Sequence, residues 1–390
     1  MIIYLSILLI LLFCILVYDI RGEREYKSAC VRLILLILIL VSGFSYRLGG
    51  DGIGYTYEYK QYGDITDVSY SYLMGFNGRM PGWVLLCTLC KSITSSYWLF
   101  KLVHAIILNC AYVSAIRCST KYTFTSLLVY FVLLYFNQNF QVLRESLAIA
   151  FFLFSLPSFY NNKWIHYYVL IVLAISFHIG AAFLLFFPLV KKIGFSKYSI
   201  IVYLALFAVI IFNSSAILEY LVFSSRETDV SYDGFYFYFH NATESDGLGF
   251  VNALLNLILP FAILVYYKLH NLSIKYLFPV LCSLGIYTLS TFLPIVYRFN
   301  NYLLIFNYIL ITDFIFYWFL NKYRAVISMR IVAILLFLIF YVGIKGRFYF
   351  TLNYGDTKYK QYVQYYPYAS IFDKSIDPDR ERLYKMIENY

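Results

Sequence analysis

Long apolar runs, each closed by a short turn carrying Lys or Arg, follow one another along this chain, and that pattern leaves few folds open to it. Hydrophobic residues make up 62% of the sequence and charged residues 13%, about half the charge an ordinary globular chain carries, so a soluble protein is excluded. In lipid every backbone N–H and C=O has to be satisfied inside the protein, which for runs of this length means helices. The expectation is an all-α, polytopic transmembrane bundle, a single integral membrane domain over residues 1–390 with no internal repeat. Met1 to Val17 is apolar, with no basic residue before it and no small-residue cleavage site after it, so it reads as a retained helix rather than a signal peptide.

Positive charge is held on the cytoplasmic side of a membrane. Arg21, Arg24, Lys27 and Arg32 in the first loop therefore put the N-terminus outside, and a second helix, about Val31 to Ser45, returns the chain to the outer face. Followed to the end, the basic turns predict about ten spans plus two partial elements, with Gln138-Asn139-Phe140-Gln141 turning the chain on the outer side and Ile331 to Lys345 as the last helix. One is Pro81 to Ser96, moderately apolar and containing Lys91, which reads as a surface-lying or re-entrant amphipathic helix. The other lies within 164–192. Trp164 to Phe177 is about 14 residues, roughly 21 Å of helix against a hydrocarbon core of about 30 Å. One span from Lys163 to Lys191-Lys192 would also leave a basic group outside, so the reading is a re-entrant hairpin with His178-Ile179-Gly180 at its apex; the alternative is one long helix with an intramembrane histidine. The outer face receives the loops at about 46–96 and 214–250, the turn Pro294 to Asn300 and the C-terminal segment from about 346 to 390. The acidic, aromatic 214–250 loop reads as a lid, and Asp313 has no evident partner.

This tracing brings Arg47, Asp51, Arg144, Glu145, His178 and Arg298 to the outer half of one bundle, where ionisable groups are expensive and usually functional. Arg47 to Tyr62, with Gly at 49, 50, 52 and 54, reads as a loosened loop whose backbone can approach a ligand. Arginine is always charged and presents a planar fork, so arginines around one cavity point to a phosphate or diphosphate, here a lipid headgroup. The acids form no paired cluster and His178 stands alone on its segment, so neither a metal nor a cofactor is expected. The chemistry that fits is metal-independent: arginines stabilise a departing diphosphate while His178, Asp51 or Glu145 takes the proton of an acceptor hydroxyl.

Other classes fall away on the same grounds. The net charge of +10 is spread over short loops instead of forming a basic stripe, which argues against nucleic acid and for the lipid bilayer. No Walker loop is present. Cys14, Cys110 and Cys282 sit in apolar runs as small hydrophobes, and Cys87-Thr88-Leu89-Cys90 has redox spacing without a redox context.

Several short motifs now line up. They are Arg47 with Asp51 and Tyr55; Pro81-Gly82-Trp83; Leu143-Arg144-Glu145-Ser146-Leu147-Ala148; Phe177-His178-Ile179-Gly180-Ala181; Tyr297-Arg298-Phe299; and Pro367-Tyr368-Ala369-Ser370-Ile371. Their order and spacing, over nearly the whole chain, resemble the EpsG family of polysaccharide polymerases, related in role to Wzy O-antigen polymerases. The resemblance implies a glycosyltransferase similar to GT-C-type membrane enzymes, in the bacterial cytoplasmic (inner) membrane with its active site facing the periplasm or exterior. Its substrates would be polyprenyl (undecaprenyl) diphosphate-linked glycans, donor and acceptor alike, and a flippase and a chain-length regulator would be partners. Carried over by motif, Arg47, Arg144 and Arg298 would hold diphosphate, His178, Asp51 and Glu145 would stand at the reacting centre, and Tyr55, Tyr297 and Tyr368 would contact sugar. Glu145 stands where Gln is commoner and Gly180 where Ser is usual. Two other classes share the outline: a flippase or transporter of lipid-linked glycans, and a membrane O-acyltransferase acting on glycans.

Overall fold

A computed structural model of the chain describes residues 2–193, 253–290, 296–322, 331, 335, 339–340, 343, 347–351, 353, 358–374 and 377–388. The expected lid at 214–250, most of the helix expected after 331 and the Pro294 end of the outer turn lie outside them. Every named element is helical, and the chain groups into two compact units, residues 1–182 with 315–390, and residues 183–314.

The first unit is built from α1 (Ile2–Ile20), α2 (Lys27–Gly43), α3 (Gly50–Gln61), α4 (Tyr70–Gly75), α5 (Pro81–Ile93) and α6 (Trp98–Ser119). These are followed by α7 (Thr123–Tyr130), which runs through a π-helical turn Phe131–Tyr135 into α8 (Phe136–Phe140), then α9 (Leu143–Tyr160) and α10 (Trp164–Phe177). The Gln138-Asn139 pair, expected in a turn, is therefore the buried last turn of a helix. Asn139 donates to the Tyr135 carbonyl at 3.0 Å and accepts from Asn109 at 3.0 Å, pairs that would be unsatisfied in an apolar core without each other.

Of these helices, Ile2–Ile20 and Trp98–Ser119 are long and apolar enough to cross a bilayer unaided. α5 has 13 residues, about 20 Å, and two faces: Trp83, Val84, Cys87 and Cys90 are buried while Leu85, Leu89 and Ile93 are exposed. α9 and α10 form an antiparallel hairpin, with Phe159 against Tyr167 at 5.5 Å near its turn and Phe151 stacked on Phe177 at 5.3 Å. The turn works because Asn162 takes a left-handed conformation (φ 55), one that asparagine tolerates better than most residues.

The two ends of this unit are built differently. At one end, where α1 meets α2, α6 meets α7 and α9 meets α10, stand Arg21, Arg24, Lys27, Arg117, Lys121 and Lys163. There the buried Asp19 accepts from the backbone N–H of Thr125 at 2.7 Å and from its hydroxyl at 2.9 Å, capping α7 from another helix, with Lys27 at 3.7 Å. At the other end α2 and α10 finish, and α3, α5, α6 and α9 begin. A C-terminal segment closes onto it: Ser370 bridges to Ser45, Tyr46 donates to the Ala369 carbonyl at 2.9 Å, and α16 (Pro378–Glu388) packs on α3.

The second unit contains a π-helical turn Leu254–Ile258 leading into α12 (Leu259–Leu269), α13 (Leu277–Ser290), α14 (Tyr297–Asn300) and the first part of α15 (Leu304–Lys322); α11 (Phe187–Ile193) precedes them. A buried chain ties three of these together: Asn307 donates to Ser283 at 2.7 Å, and Ser283 to Asn300 at 2.5 Å. Asp313 does have a partner, the Tyr276 hydroxyl at 2.6 Å, which corrects the sequence expectation.

Candidate functional site

The glycine-rich stretch is a helix from Gly50 onward, not the loop its composition suggests. Gly50, Gly52 and Gly54 each lower helix propensity by about 1 kcal/mol relative to Ala, which masks α3 in the sequence; contacts on both of its faces supply what propensity lacks. Ile53 joins a core with Val363, Leu383 and Tyr384. Asp51, Tyr55, Glu58 and Tyr62, at spacings of four, three and four, line a common face.

The start of α3 is wedged against the end of α8. Gly49 has φ +82, and a Cβ there would stand 2.2 Å from the Phe140 carbonyl oxygen, so only glycine fits. Gln364 secures the junction: its carbonyl accepts from Gly49 N at 3.1 Å, and its side-chain oxygen from Gly50 N at 3.1 Å and Gln141 Nε2 at 2.6 Å. Lys101, buried in α6, donates to the Asn139 carbonyl at 2.6 Å, placing a cation where α8 exposes its last carbonyls. α9 starts three residues beyond α8, so Arg144 is delivered beside α3.

There the Arg144 Nε donates to the Tyr55 hydroxyl at 3.3 Å, with the guanidinium carbon 5.9 Å from the ring centroid. Burial raises the Tyr55 phenol above its ordinary value, and Arg144 acts against that rise. Asp51, exposed one turn earlier, also bears on Tyr55. Among the described residues no carboxylate forms an ion pair with Arg144, which is half-buried.

One turn further along α3, Glu58 collects four donors. Arg79 approaches it as a fork, Nε to Oε1 at 3.0 Å and Nη2 to Oε2 at 2.6 Å; Tyr62 OH donates at 2.5 Å and Trp83 Nε1 at 3.3 Å. Burial alone would raise the Glu58 carboxyl, but the bonds from Arg79 and Tyr62 and the Arg79 charge outweigh it, and the net direction is below the ordinary value. Trp83 also lies against Tyr55, ring centroids 5.2 Å apart, so the Arg144–Tyr55 and Arg79–Glu58 pairs share one wall.

α5 carries this wall toward α10. A Cβ on Gly82 would meet the Ser176 carbonyl oxygen at 2.9 Å, so the first turn of α5 lies against the last turn of α10. α10 ends at Phe177, as its length suggests, and His178 is extended (φ −153, ψ 122) before a 3-10 run Ile179–Phe186. The His178 Nδ1 accepts from Gly180 N at 3.1 Å, which leaves the proton of a neutral ring on Nε2. His178 thus presents a donor, and a role as base would require that bond to break.

The other candidates are placed as follows. Glu145 is buried within α9, and Arg47 is half-buried two residues before Gly49, with φ 48 and its carbonyl accepting from Tyr384 at 3.0 Å. Tyr368 donates to the Val41 carbonyl at 3.0 Å and meets Tyr4 edge-on, contacts that anchor the C-terminal segment. Tyr297 and Arg298 belong to the second unit, where Arg298 is exposed in α14. Glu58 and Arg79 were missed by the sequence reading. The four-three-four spacing on α3 is a signal that finds Glu58; nothing local marks Arg79. Cys87 and Cys90 are buried free thiols, and among the described residues no three His, Cys, Asp or Glu side chains are grouped to hold a metal ion.

The family model that matches the chain is that of the EpsG family, over residues 28–370. The chain belongs to the EpsG family. Members of this family are Wzy-like polysaccharide polymerases, and the apolar helices of this EpsG chain agree with a membrane protein. No curated protein and no solved structure matches it. The match reaches from the start of α2 to Ser370, so it takes in the Arg144–Tyr55 and Arg79–Glu58 pairs, His178 and the strand-like bridge at Ser45, and stops short of α16.

Proposed function

We propose that this EpsG-family protein is a glycosyltransferase that joins polyprenyl diphosphate-linked oligosaccharide repeat units, without a metal, at the extracytoplasmic face of the bacterial inner membrane, within a bundle of about ten spans. The observation that carries the reading is the half-buried Arg144 guanidinium, held by a tyrosine hydroxyl with no ion-pairing carboxylate among the described residues, at the end of the first unit opposite its basic turns. A cation in that state favours an anionic ligand, and the diphosphate of a lipid-linked glycan supplies one beside the bilayer.

The reaction uses the site in one displacement. An acceptor sugar hydroxyl attacks the anomeric carbon of the donor glycan, the C–O bond to the diphosphate breaks, and the hydroxyl proton passes to Asp51, whose carboxylate is exposed on the Tyr55 face. Glu58 is engaged by Arg79, and His178 as a donor at Nε2 suits the leaving oxygen better than the acceptor proton. Arg144, with Arg47, holds the departing polyprenyl diphosphate.

The test is a purified, detergent-solubilised protein given a lipid-linked repeat unit. Wild type is expected to build a ladder of longer chains, and Arg144→Ala to build none while eluting as the same folded species. A folded wild type that makes no ladder, or an Arg144→Ala variant that polymerises normally, would overturn the reading. A flippase moves its substrate between compartments without lengthening it, and an O-acyltransferase adds acyl groups without chain growth.

A further inference from the structure

We infer that Arg79, which no motif marks, is a further guanidinium of the anion site, facing the same ligand as Arg144 across Tyr55, and that Glu58 is the positioning residue that sets its edge. This rests on the diphosphate reading above and adds to it the geometry that separates a diphosphate from a single phosphate.

Arg79 precedes α5 and enters the wall by the edge bearing Nε and Nη2, both taken by the two oxygens of Glu58. A guanidinium has five N–H groups, so the Nη1 pair and one on Nη2 are left for other acceptors, and the side chain remains 29% exposed. Glu58 is itself fixed by Tyr62 and Trp83, whose Nε1 also donates to the Tyr62 hydroxyl at 3.0 Å, so the fork has little freedom to swing. Trp83 is fully buried and links the two pairs, its ring against the Tyr55 that bonds Arg144 and its Nε1 on the Glu58 that bonds Arg79. α5 begins two residues after Arg79 and α9 one residue before Arg144, and helix N-termini favour negative charge. Among the described residues Arg79 has an ion-paired carboxylate and Arg144 has none. Together they form a rigid pair of guanidinium groups around Tyr55 whose remaining N–H donors suit two linked phosphates.

The experiment measures binding of undecaprenyl diphosphate and of undecaprenyl monophosphate to the full chain in lipid nanodiscs, alongside chain growth. Wild type is expected to prefer the diphosphate. Arg79→Lys keeps an ion pair with Glu58 but loses the fork; it is expected to remain folded, to weaken diphosphate binding about 10- to 100-fold and to leave monophosphate binding nearly unchanged. Glu58→Gln is expected to narrow the same preference by freeing the Arg79 edge, an effect that a purely structural role would not produce. If Arg144→Ala loses diphosphate binding while Arg79→Lys and Arg79→Ala bind and polymerise like wild type, this inference is wrong and the proposed function stands. If folded wild type binds neither lipid, the diphosphate reading itself fails.

Discussion

Three glycines in one short stretch, at 49, 52 and 54, face different surroundings, and replacing each by alanine gives a graded test of how α3 is seated. At Gly54 an added Cβ meets nothing within 4 Å, and the position is an exposed helix interior, so Gly54→Ala should stabilise by about 0.5–1 kcal/mol through helix propensity alone. At Gly52 the Cβ would lie 3.1 Å from the Phe140 carbonyl oxygen, a shift of a few tenths of an ångström from ordinary contact, which offsets much of that gain. At Gly49 the same oxygen is 2.2 Å away, so reaching the 3.4 Å where ordinary contact begins requires the backbones of α3 and α8 to part by about 1.2 Å. The positive φ of +82, with ψ 138, adds about 1–3 kcal/mol for a residue with a side chain. Such a shift moves Tyr55 relative to Arg144, whose bond at 3.3 Å is already long, so activity should fall by two orders of magnitude or more. Thermal melts and chain growth by the three purified variants provide the measurement. A Gly49→Ala variant as stable and active as Gly54→Ala would refute the seating of α3 against Phe140.

Three further outcomes follow from the same geometry. The Glu58 carboxyl titrates below its ordinary value in the folded protein, so its stabilising effect is complete above the unfolded carboxylate range near pH 4.5 and is lost as pH falls through the folded value. The melting difference between wild type and Glu58→Gln should accordingly be constant from pH 7 to 5 and shrink below about pH 4. Asp19→Ala strips the buried Thr125 N–H of its acceptor and should cost about 1–3 kcal/mol, seen as a lower melting temperature with unchanged polymer length. If His178 lines the same cavity as Arg144, cysteine at position 178 in a cysteine-free background should be labelled by a membrane-impermeant thiol reagent from outside the cell; labelling only from the cytosol would place it elsewhere.

Much of this protein was legible before any fold was known, because burial in lipid forces a simple code. Apolar length and the rule that backbone groups pair internally dictate helices, and basic turns sort their ends: Arg21, Lys27, Arg117, Lys121 and Lys163 gather at the end opposite Arg144, as their spacing implies. The short run before His178 also announced a break, since 14 residues cannot cross a bilayer core. Side-chain chemistry that depends on local pattern, such as Arg144 at a helix start, was visible for the same reason.

What the tertiary structure alone decided is everything set by contacts between distant segments. α3 is a helix because Gln364, Phe140 and Leu383 hold it, although its own glycines argue otherwise. Glu58 and Arg79, 21 residues apart, meet only after α5 folds back against α3. His178 becomes a donor because its neighbour Gly180 turns an amide toward Nδ1. Propensity and periodicity act over a few residues, whereas pairing of charges across a chain is fixed by packing, and no one-dimensional signal carries it.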